Sequence, residues 1–403
     1  EKENMNMDQL LGFLDQALQA LDQTLWSNRR SDGLYHAYNL IRVDGDELHL
    51  RRLYEMLEGQ VAILSSGSLP VEESIGLLDA LKKSNLFRED QYSYILYPDH
   101  QLPSFLEKNI IPAEEIERSG LLKTLLEKSN RQIVVKDVNG ACHFHAGFRN
   151  AGLLKEALDA LPETYSTLVE KERDLLLEIY EKVFDHQSFT GRSGTFYGYE
   201  GLGSIYWHMV SKLLLAVCET YYRAADEGTI PGLLGQLAAH YYEIRAGIGL
   251  NKDPDVFGAF PTDPYSHTPA NRGAQQPGMT GQVKEDIIAR WGELGILVRQ
   301  GAIRFHPILL RKEEFLSEAR GFNFLDVRGE KITLDLEAGS LGFTYCQLPV
   351  IYHLSKEFRM VLHHRDGSSR SLPGLVLDQE TSRHIFERSG TWVRLEVWLS
   401  PGL

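Results

Sequence analysis

The chain has little cysteine, and its cysteines are scattered. Its 403 residues contain only three of them, Cys142, Cys218 and Cys346, with no Cys-x-x-Cys spacing. An odd number of scattered cysteines argues against a disulfide framework and against a structural zinc site, and it favours a reducing compartment. The sequence therefore predicts a cytoplasmic protein.

The chain is also short of positive charge and of long hydrophobic runs. The formal net charge is −14, from 42 Lys and Arg against 56 Asp and Glu. Such a balance makes nucleic acid and an anionic membrane unexpected as partners. The start of the chain, Glu1-Lys2-Glu3-Asn4, lacks the pattern of a signal peptide. The most apolar predicted helix carries His208, Lys212 and Glu219 and is expected to be buried, not membrane-spanning.

The hydrophobic period changes once along the chain. Leucines at three- and four-residue steps from Leu10 to Leu25 predict an amphipathic helix. Further helices are predicted at about 47–65, 71–84, 113–128, 151–161, 164–183, 203–227, 233–246 and 282–299. Beyond residue 302 the period is two, with strands predicted at 332–336, 341–350, 358–363, 374–377 and 393–399. The pattern predicts an α + β multidomain protein, with a helical (α/α) toroid-like domain over 1–300 and an antiparallel β-sandwich over 301–403.

A long polar loop at 259–281 interrupts the helical part, and loops of this length are usually functional or disordered. Its aromatic residues argue against disorder. Thr280 is a candidate N-cap of the helix that follows, so the N–H groups of Gly281 and Gln282 are expected to face an anion together with the Thr280 hydroxyl. His267 and Arg272 of the same loop would add positive charge.

A second loop, at 184–203, combines glycines, aromatic rings and carboxylates between two helices. Flat rings beside polar groups suit a sugar, so Tyr197 and Tyr199 are expected to stack on it, and Phe260 and Tyr265 of the first loop are assigned the same role. A carboxyl group among aromatic rings has a raised pKa, as a general acid for glycosidic cleavage requires. The candidates are Asp185 and Glu200.

Two weaker clusters complete the set of candidates. Tyr35 and His36 lie in an aromatic, polar stretch and are further candidates for sugar binding. The sequence Cys142-His143-Phe144-His145 places two histidines on one strand face without an acidic third ligand nearby. Neither a metal nor an organic cofactor is therefore expected.

The order of features from residue 184 to about 310 resembles the inverting glycoside phosphorylases, such as cellobiose and chitobiose phosphorylases, and the wider six-hairpin glycosidase superfamily. The similar pieces are Phe184-Asp185-His186, Gly198-Tyr199-Glu200, Tyr265-Ser266-His267, Met279-Thr280-Gly281 and Glu293-Leu294-Gly295-Ile296-Leu297. The resemblance implies that His267, Thr280 and Gly281 bind phosphate, that Asp185 is the acid, and that inorganic phosphate is the co-substrate.

Three functions remain open at this point. A phosphorylase would hold phosphate with His267, Thr280, Gly281 and Arg192, and would need only Asp185 as the acid. An inverting hydrolase would need a base as well, with Glu200 or Asp263 in that role. A non-catalytic carbohydrate-binding module would bind sugars without a poised acid. In each case the partner is an oligosaccharide or glycoside, and other segments of a larger chain or a second copy are further expected partners.

Overall fold

The structure is a computed structural model, and it describes residues 6–98, 104–185, 205–248, 267–268 and 282–400. The helices are α1 Met7–Ser27, α2 Leu57–Ser66, α3 Val71–Lys83, α4 Phe105–Lys108, α5 Ala113–Arg118, α6 Gly120–Glu127, α7 Ala151–Asp159, α8 Ser166–Phe184, α9 Trp207–Asp226, α10 Pro231–Ala246, α11 Gln282–Glu293 and α12 Gln379–Phe386. The strands are β1 Asn39–Asp44, β2 Glu47–Arg52, β3 Phe87–Arg88, β4 Ser93–Tyr94, β5 Val134–Lys136, β6 Cys142–Phe144, β7 Ile205–Tyr206, β8 His267–Thr268, β9 Ile296–Arg299, β10 Ala302–Phe305, β11 Arg320–Leu325, β12 Lys331–Leu336, β13 Ser340–Tyr345, β14 Leu348–Leu354, β15 Arg359–His364, β16 Ser369–Pro373 and β17 Trp392–Leu399. The predicted mixture of helices and mainly antiparallel sheets is confirmed at this level.

The chain forms two compact units. The main unit contains Glu1–Tyr94, Trp207–Ser266 and Ala274–Leu403, and the inserted unit contains Ile95–Tyr206 and His267–Gly273. The inserted unit therefore interrupts the main unit in sequence. The change from helices to strands near residue 300 lies within the main unit, and the division into 1–300 and 301–403 stays a prediction.

Helix α9 is the centre of the helical part of the main unit, where it packs against α2, α3, α10 and α11. It is apolar around most of its circumference, as a helix enclosed by others must be. Helix α11 packs so closely against α9 at Gly292 that an added Cβ there would lie 2.5 Å from Sγ of Cys218. The Tyr222 hydroxyl donates to the Gly292 carbonyl at 2.6 Å and fixes the contact.

The inserted unit has its own hydrophobic core, drawn from residues between Ile111 and Phe184. The Phe184 ring at the end of α8 stacks on Phe105, with centroids 5.6 Å apart, and lies 4.7 Å from Tyr180. Glu172 of α8 accepts hydrogen bonds from the Ser119 hydroxyl at 2.7 Å and the Leu121 N–H at 3.0 Å. This carboxylate satisfies N–H groups at the start of α6 that the helix itself leaves unpaired.

A five-stranded sheet, in the order β13-β14-β17-β15-β16, forms the core of the strand-rich part. Its neighbours are antiparallel except for β14 and β17, which run parallel with Val350 opposite Leu395. The prediction of a purely antiparallel arrangement is wrong at this pair. A parallel partner requires a crossover connection, and here β15, β16 and α12 lie between the two strands in sequence.

Two predicted elements differ because of turns with positive φ. The helix predicted over 47–65 is the strand β2 followed by α2, since Gly45, at φ +59°, closes a hairpin between β1 and β2. The strand predicted over 341–350 is two strands, β13 and β14, joined by Cys346 and Gln347 at φ +49° and +64°. Such turns normally use Gly or Asn, so the sequence carried no signal for the second one.

The helix predicted over 282–299 ends at Glu293, because Gly295 adopts φ +75° and the chain turns into β9. The strand predicted over 374–377 lies earlier, as β16. In the ranges that the structure describes, no helix is long and apolar enough to cross a membrane.

Candidate functional site

The backbone of His267 is fixed by strand pairing. Strand β8 pairs antiparallel with β7, so that His267 lies opposite Tyr206 and Thr268 opposite Ile205. The pairing joins the segment that follows the loop at 184–203 to a point within the loop at 259–281. Apart from Phe184, Asp185, His267 and Thr268, the residues of both loops lie outside the described part of the chain, and the prediction that the two loops serve one site stays untested.

Helix α11 begins at Gln282, the residue at which the sequence predicted a helix start. Thr280 and Gly281 lie outside the described residues, and they are the two residues that immediately precede this start. A helix N-terminus offers unpaired N–H groups and a partial positive charge to whatever lies in front of it. The assignment of these residues to a phosphate stays a prediction.

A histidine–carboxylate pair joins the first turns of α9 and α11. Nε2 of His208 lies 3.1 Å from Oε1 of Glu285, and the Glu285 side chain is 5% exposed. Lys284 Nζ lies 3.6 Å from the same oxygen. The other oxygen, Oε2, is buried without a hydrogen-bond partner in the described part of the chain. The ammonium group of Lys284 offsets part of the charge of a carboxylate that has been removed from water.

Sequence reasoning did not select this pair. One turn further along α9, the Ser211 hydroxyl donates to Oδ1 of Asp286 at 3.3 Å, so the two helices share two polar contacts at adjacent positions. A polar residue near the start of an otherwise apolar helix was the available signal, since such a residue must find a partner when it is buried.

The far end of α11 is held by a buried ionic cluster. The Glu293 side chain is fully buried, and its Oε2 accepts from the Tyr241 hydroxyl at 2.9 Å and lies 3.1 Å from Nε of Arg245. Arg290 hydrogen-bonds to both Glu293 and Glu314. Burial raises the pKa of Glu293 to about 7, against the opposing effect of the arginines. Burial is the largest single influence on Glu314 and acts to raise its pKa, but the hydrogen bonds from Arg290 and Glu293 and the charges of Arg290 and Arg245 together lower it.

Asp185 is the residue that ends α8. Its backbone is left-handed, with φ 46° and ψ 49°, and its N–H donates to the Glu181 carbonyl at 2.7 Å. Asp is among the few residues that tolerate this conformation. Asp185 therefore has a structural role as a helix cap, and its role as a general acid stays a prediction.

The structure places Tyr35 in the core of the main unit. Its side chain is 4% exposed, and its backbone N–H and carbonyl both bond to the buried amide of Gln60, at 2.9 and 2.8 Å. His36 is half-buried, and its Nδ1 lies 3.2 Å from the Leu53 carbonyl. Burial lowers the pKa of His36 and raises that of Tyr35. A ring as buried as Tyr35 offers little face for a sugar in this conformation, so sugar binding here stays a prediction.

The remaining candidates lie outside the described residues. They are Arg192, Tyr197, Tyr199, Glu200, Phe260, Tyr265 and Arg272. Within the described ranges, no group of three or more His, Cys, Asp and Glu side chains is placed to hold a metal ion. His143 instead lies 3.3 Å from Asp137 and contacts the Asn109 carbonyl.

The inserted unit supplies the connection to known proteins. Residues 102–187 match the GH149 phosphorylase insertion domain 2. The matched segment falls inside the unit that interrupts the main unit in sequence, and it contains the core residues that the structure describes for that unit, Ile111 to Phe184. No curated protein matches the chain. The match is to an accessory domain of phosphorylases and covers a minor part of the chain, so it supports a phosphorylase-like relationship and identifies no catalytic residue.

Proposed function

We propose that this chain acts in a carbohydrate-active enzyme that cleaves a glycosidic bond by phosphorolysis with inversion. The observation that carries the proposal is the similarity of residues 102–187 to an insertion domain of phosphorylases. In this chain the same residues belong to the unit that interrupts the main unit in sequence. The substrate class is an oligosaccharide or glycoside. Inorganic phosphate is the co-substrate, and no organic cofactor is involved.

The phosphate is proposed to bind in front of α11, at Thr280 and the N–H groups of Gly281 and Gln282. Support comes from the start of α11 at Gln282, because the N–H groups of a first turn point out of the helix toward an anion. A carboxylate in that turn would repel phosphate, but Nζ of Lys284 lies 3.6 Å from Oε1 of Glu285 and reduces its effect. His267, Arg192 and Arg272 are proposed to supply the remaining positive charge.

The proton is proposed to come from Asp185. Phosphate attacks the anomeric carbon, the bond to the leaving oxygen breaks, and the Asp185 carboxyl group donates its proton to that oxygen. Only one catalytic carboxyl group is needed, because phosphate is already the nucleophile. Glu200 is then a residue of the same loop that binds sugar hydroxyl groups, beside Tyr197, Tyr199, Tyr265 and Phe260.

The finer architecture is part of the same proposal. The helices of the main unit are proposed to belong to an (α/α) toroid, and the five-stranded sheet with the β11–β12 hairpin to a sandwich. Gly342 of β13 lies against the Phe322 ring of the hairpin, which is the type of contact that a second layer makes. We further propose that the enzyme is cytoplasmic and works with other segments of a larger chain or with a second copy.

The test is turnover of β-linked glucosides and N-acetylglucosaminides by the purified chain, with and without phosphate. Asp185→Asn keeps the size of the side chain but removes the proton, so turnover should fall by about 10²–10⁴-fold. Asp174→Asn makes the same change at an exposed position of α8 and serves as the matched control. Thr280→Val should raise the phosphate concentration needed for half-maximal rate, and high phosphate should partly restore its rate.

Two results would contradict the proposal. Turnover that requires Asp185 but ignores phosphate would indicate an inverting hydrolase, with Glu200 or Asp263 as the base about 6.5–9.5 Å from the acid. No turnover, with sugar binding unchanged in both variants, would indicate a non-catalytic carbohydrate-binding module.

A further inference from the structure

A cavity of about 440 Å³ opens at one end of the five-stranded sheet. Three turns and the start of one strand contribute to it: the β11–β12 turn, the β13–β14 turn, the β15–β16 turn and the first residues of β17. Its size falls in the range of small-molecule sites in proteins. All of these elements belong to the main unit, and the cavity involves none of the residues proposed above for phosphorolysis.

Two consecutive histidines of β15 line this cavity beside a bulge, whose extra residue is Val393 of β17. Successive residues of a strand normally face opposite sides of a sheet. The pairing of β15 with β17 shifts between His363 and His364, and both residues line the cavity. His364 contacts Trp392 edge to face, with ring centroids 5.5 Å apart, and His363 Nε2 lies 3.3 Å from an Arg394 nitrogen. Bulges are common beside functional sites.

A strained turn supplies another residue that lines the cavity. Gln347 adopts φ +64° directly after Cys346 at φ +49°, and neither residue is a glycine. Left-handed backbone at such residues costs about 1–3 kcal/mol each and persists where the surroundings require it. The side chain of Gln347 donates to the Asp326 carbonyl at 3.1 Å, which ties this turn to the β11–β12 turn.

Among the residues that the structure describes, three arginines line the cavity, and two of them, Arg328 and Arg394, lie beside carboxylates, whereas Arg365 does not. Arg328 lies 3.2 Å from Asp326 and 2.9 Å from Glu330, and Nε of Arg394 lies 3.2 Å from Glu396. Paired guanidinium and carboxylate groups offer fixed donors and acceptors side by side, which is what a hydroxyl group requires because it both donates and accepts. Because Arg365 has no carboxylate partner among the described residues, an anionic sugar is the relevant competitor for this cavity.

Trp392 provides the cavity with an aromatic surface and a hydrogen-bond donor. It is half-buried and lines the cavity, so part of its indole is available for apolar contact. Its Nε1 is buried with no hydrogen-bond acceptor in the part of the chain that the structure describes. A buried donor without a partner is unfavourable by about 1–3 kcal/mol, and an acceptor on a ligand would remove that penalty.

We propose that this cavity binds a neutral mono- or disaccharide, with the apolar face of a pyranose ring against Trp392 and its hydroxyl groups bonded to Gln347 and the paired charges. The binding is non-catalytic, since no carboxyl group here is poised between a sugar and a nucleophile. It does not depend on the function proposed for the loops at 184–203 and 259–281.

The test is calorimetric titration of the whole chain with cellobiose and N,N′-diacetylchitobiose, and with glucose 6-phosphate as an anionic comparison. Trp392→Leu should weaken binding of the disaccharides by at least about tenfold. The control is Trp398→Leu on the same strand, because Trp398 stacks on His353 with centroids 4.7 Å apart and does not line the cavity. Trp398→Leu should bind as the unsubstituted chain does.

A second variant separates binding from folding. Gln347→Gly relieves the left-handed strain, so it should unfold at a higher temperature and yet bind disaccharide more weakly. Three results would overturn the inference: no disaccharide binding by the unsubstituted chain, equal losses in the two tryptophan variants, or tighter binding of glucose 6-phosphate. Loss of the Trp392-dependent binding in Asp185→Asn would overturn it as well, because that binding would then belong to the other site.

Discussion

Gly295 is the position where a single added methyl group should be most damaging to the main unit. Its φ of +75° disfavours any residue with a Cβ, by roughly 1–2 kcal/mol. A Cβ there would also overlap backbone atoms of His306 and Pro307, which cannot rotate away. The backbones are held together, since the His306 N–H donates to the Gly295 carbonyl at 2.7 Å. Forced overpacking adds about 1–3 kcal/mol. We expect Gly295→Ala to lower the free energy of unfolding by about 2–5 kcal/mol.

Gly301 is the matched control for this change. It has nearly the same φ, +76°, but nothing lies within 4 Å of a Cβ built on it. Gly301→Ala should therefore lower the free energy of unfolding only by the cost of the left-handed backbone, about 1–2 kcal/mol. Urea unfolding followed by tryptophan fluorescence reports the main unit alone, because all five tryptophans belong to it. If the two variants lose the same free energy of unfolding, the overlap with His306 and Pro307 contributes nothing, and the cost comes from the backbone conformation alone.

Two further predictions concern the buried carboxylate and the inserted unit. In the folded chain the pKa of Glu293 is raised from 4.5 to about 7. Protonation of Glu293 therefore stabilises the folded state at low pH. This contribution, at most about 3 kcal/mol, is lost as the pH rises through about 7. The stability advantage of the unsubstituted chain over Glu293→Gln should therefore shrink between pH 5.5 and 8.5, and a difference that does not change with pH in urea titrations would contradict this. Because the core of the inserted unit lies between Ile111 and Phe184, a fragment of residues 95–206 should show a cooperative thermal transition by circular dichroism, which Phe184→Ala should abolish or move to a much lower temperature. A fragment without any such transition would show that the main unit is required for its folding.

The sequence predicted those elements whose formation depends on local pattern. A helix over residues that begin at Gln282 and a strand at β17 follow from local periodicity, and both are found. The turn at Cys346 and Gln347 has no local signal, because its left-handed backbone depends on contacts that form only after folding. The parallel pairing of β14 with β17 was equally unpredictable, since it depends on the path of the whole chain between them.

In the candidate site, too, local sequence predicts some residues, whereas others are recognised only from the folded structure. Thr280 and Gly281 could be selected because a helix start is recognisable from local sequence. The pair of His208 and Glu285 could not, because the two residues are far apart in sequence and meet only when α9 and α11 pack. Tyr35 was selected for its aromatic, polar neighbourhood, but a buried ring and an exposed binding ring have the same local sequence, and only burial distinguishes them.

The interruption of the main unit by the inserted unit has a consequence for synthesis on the ribosome. Helix α9 is the centre of the main unit's helical core, and it follows the insertion in the chain. The inserted unit, whose core contacts are local, can fold as soon as it emerges. Helices α2 and α3 must wait for α9 through the translation of the whole insertion, on the order of 10 s at about 5–20 residues per second. Their apolar faces are exposed during that interval, so the period in which the nascent chain most needs chaperone protection should end when α9 leaves the ribosome.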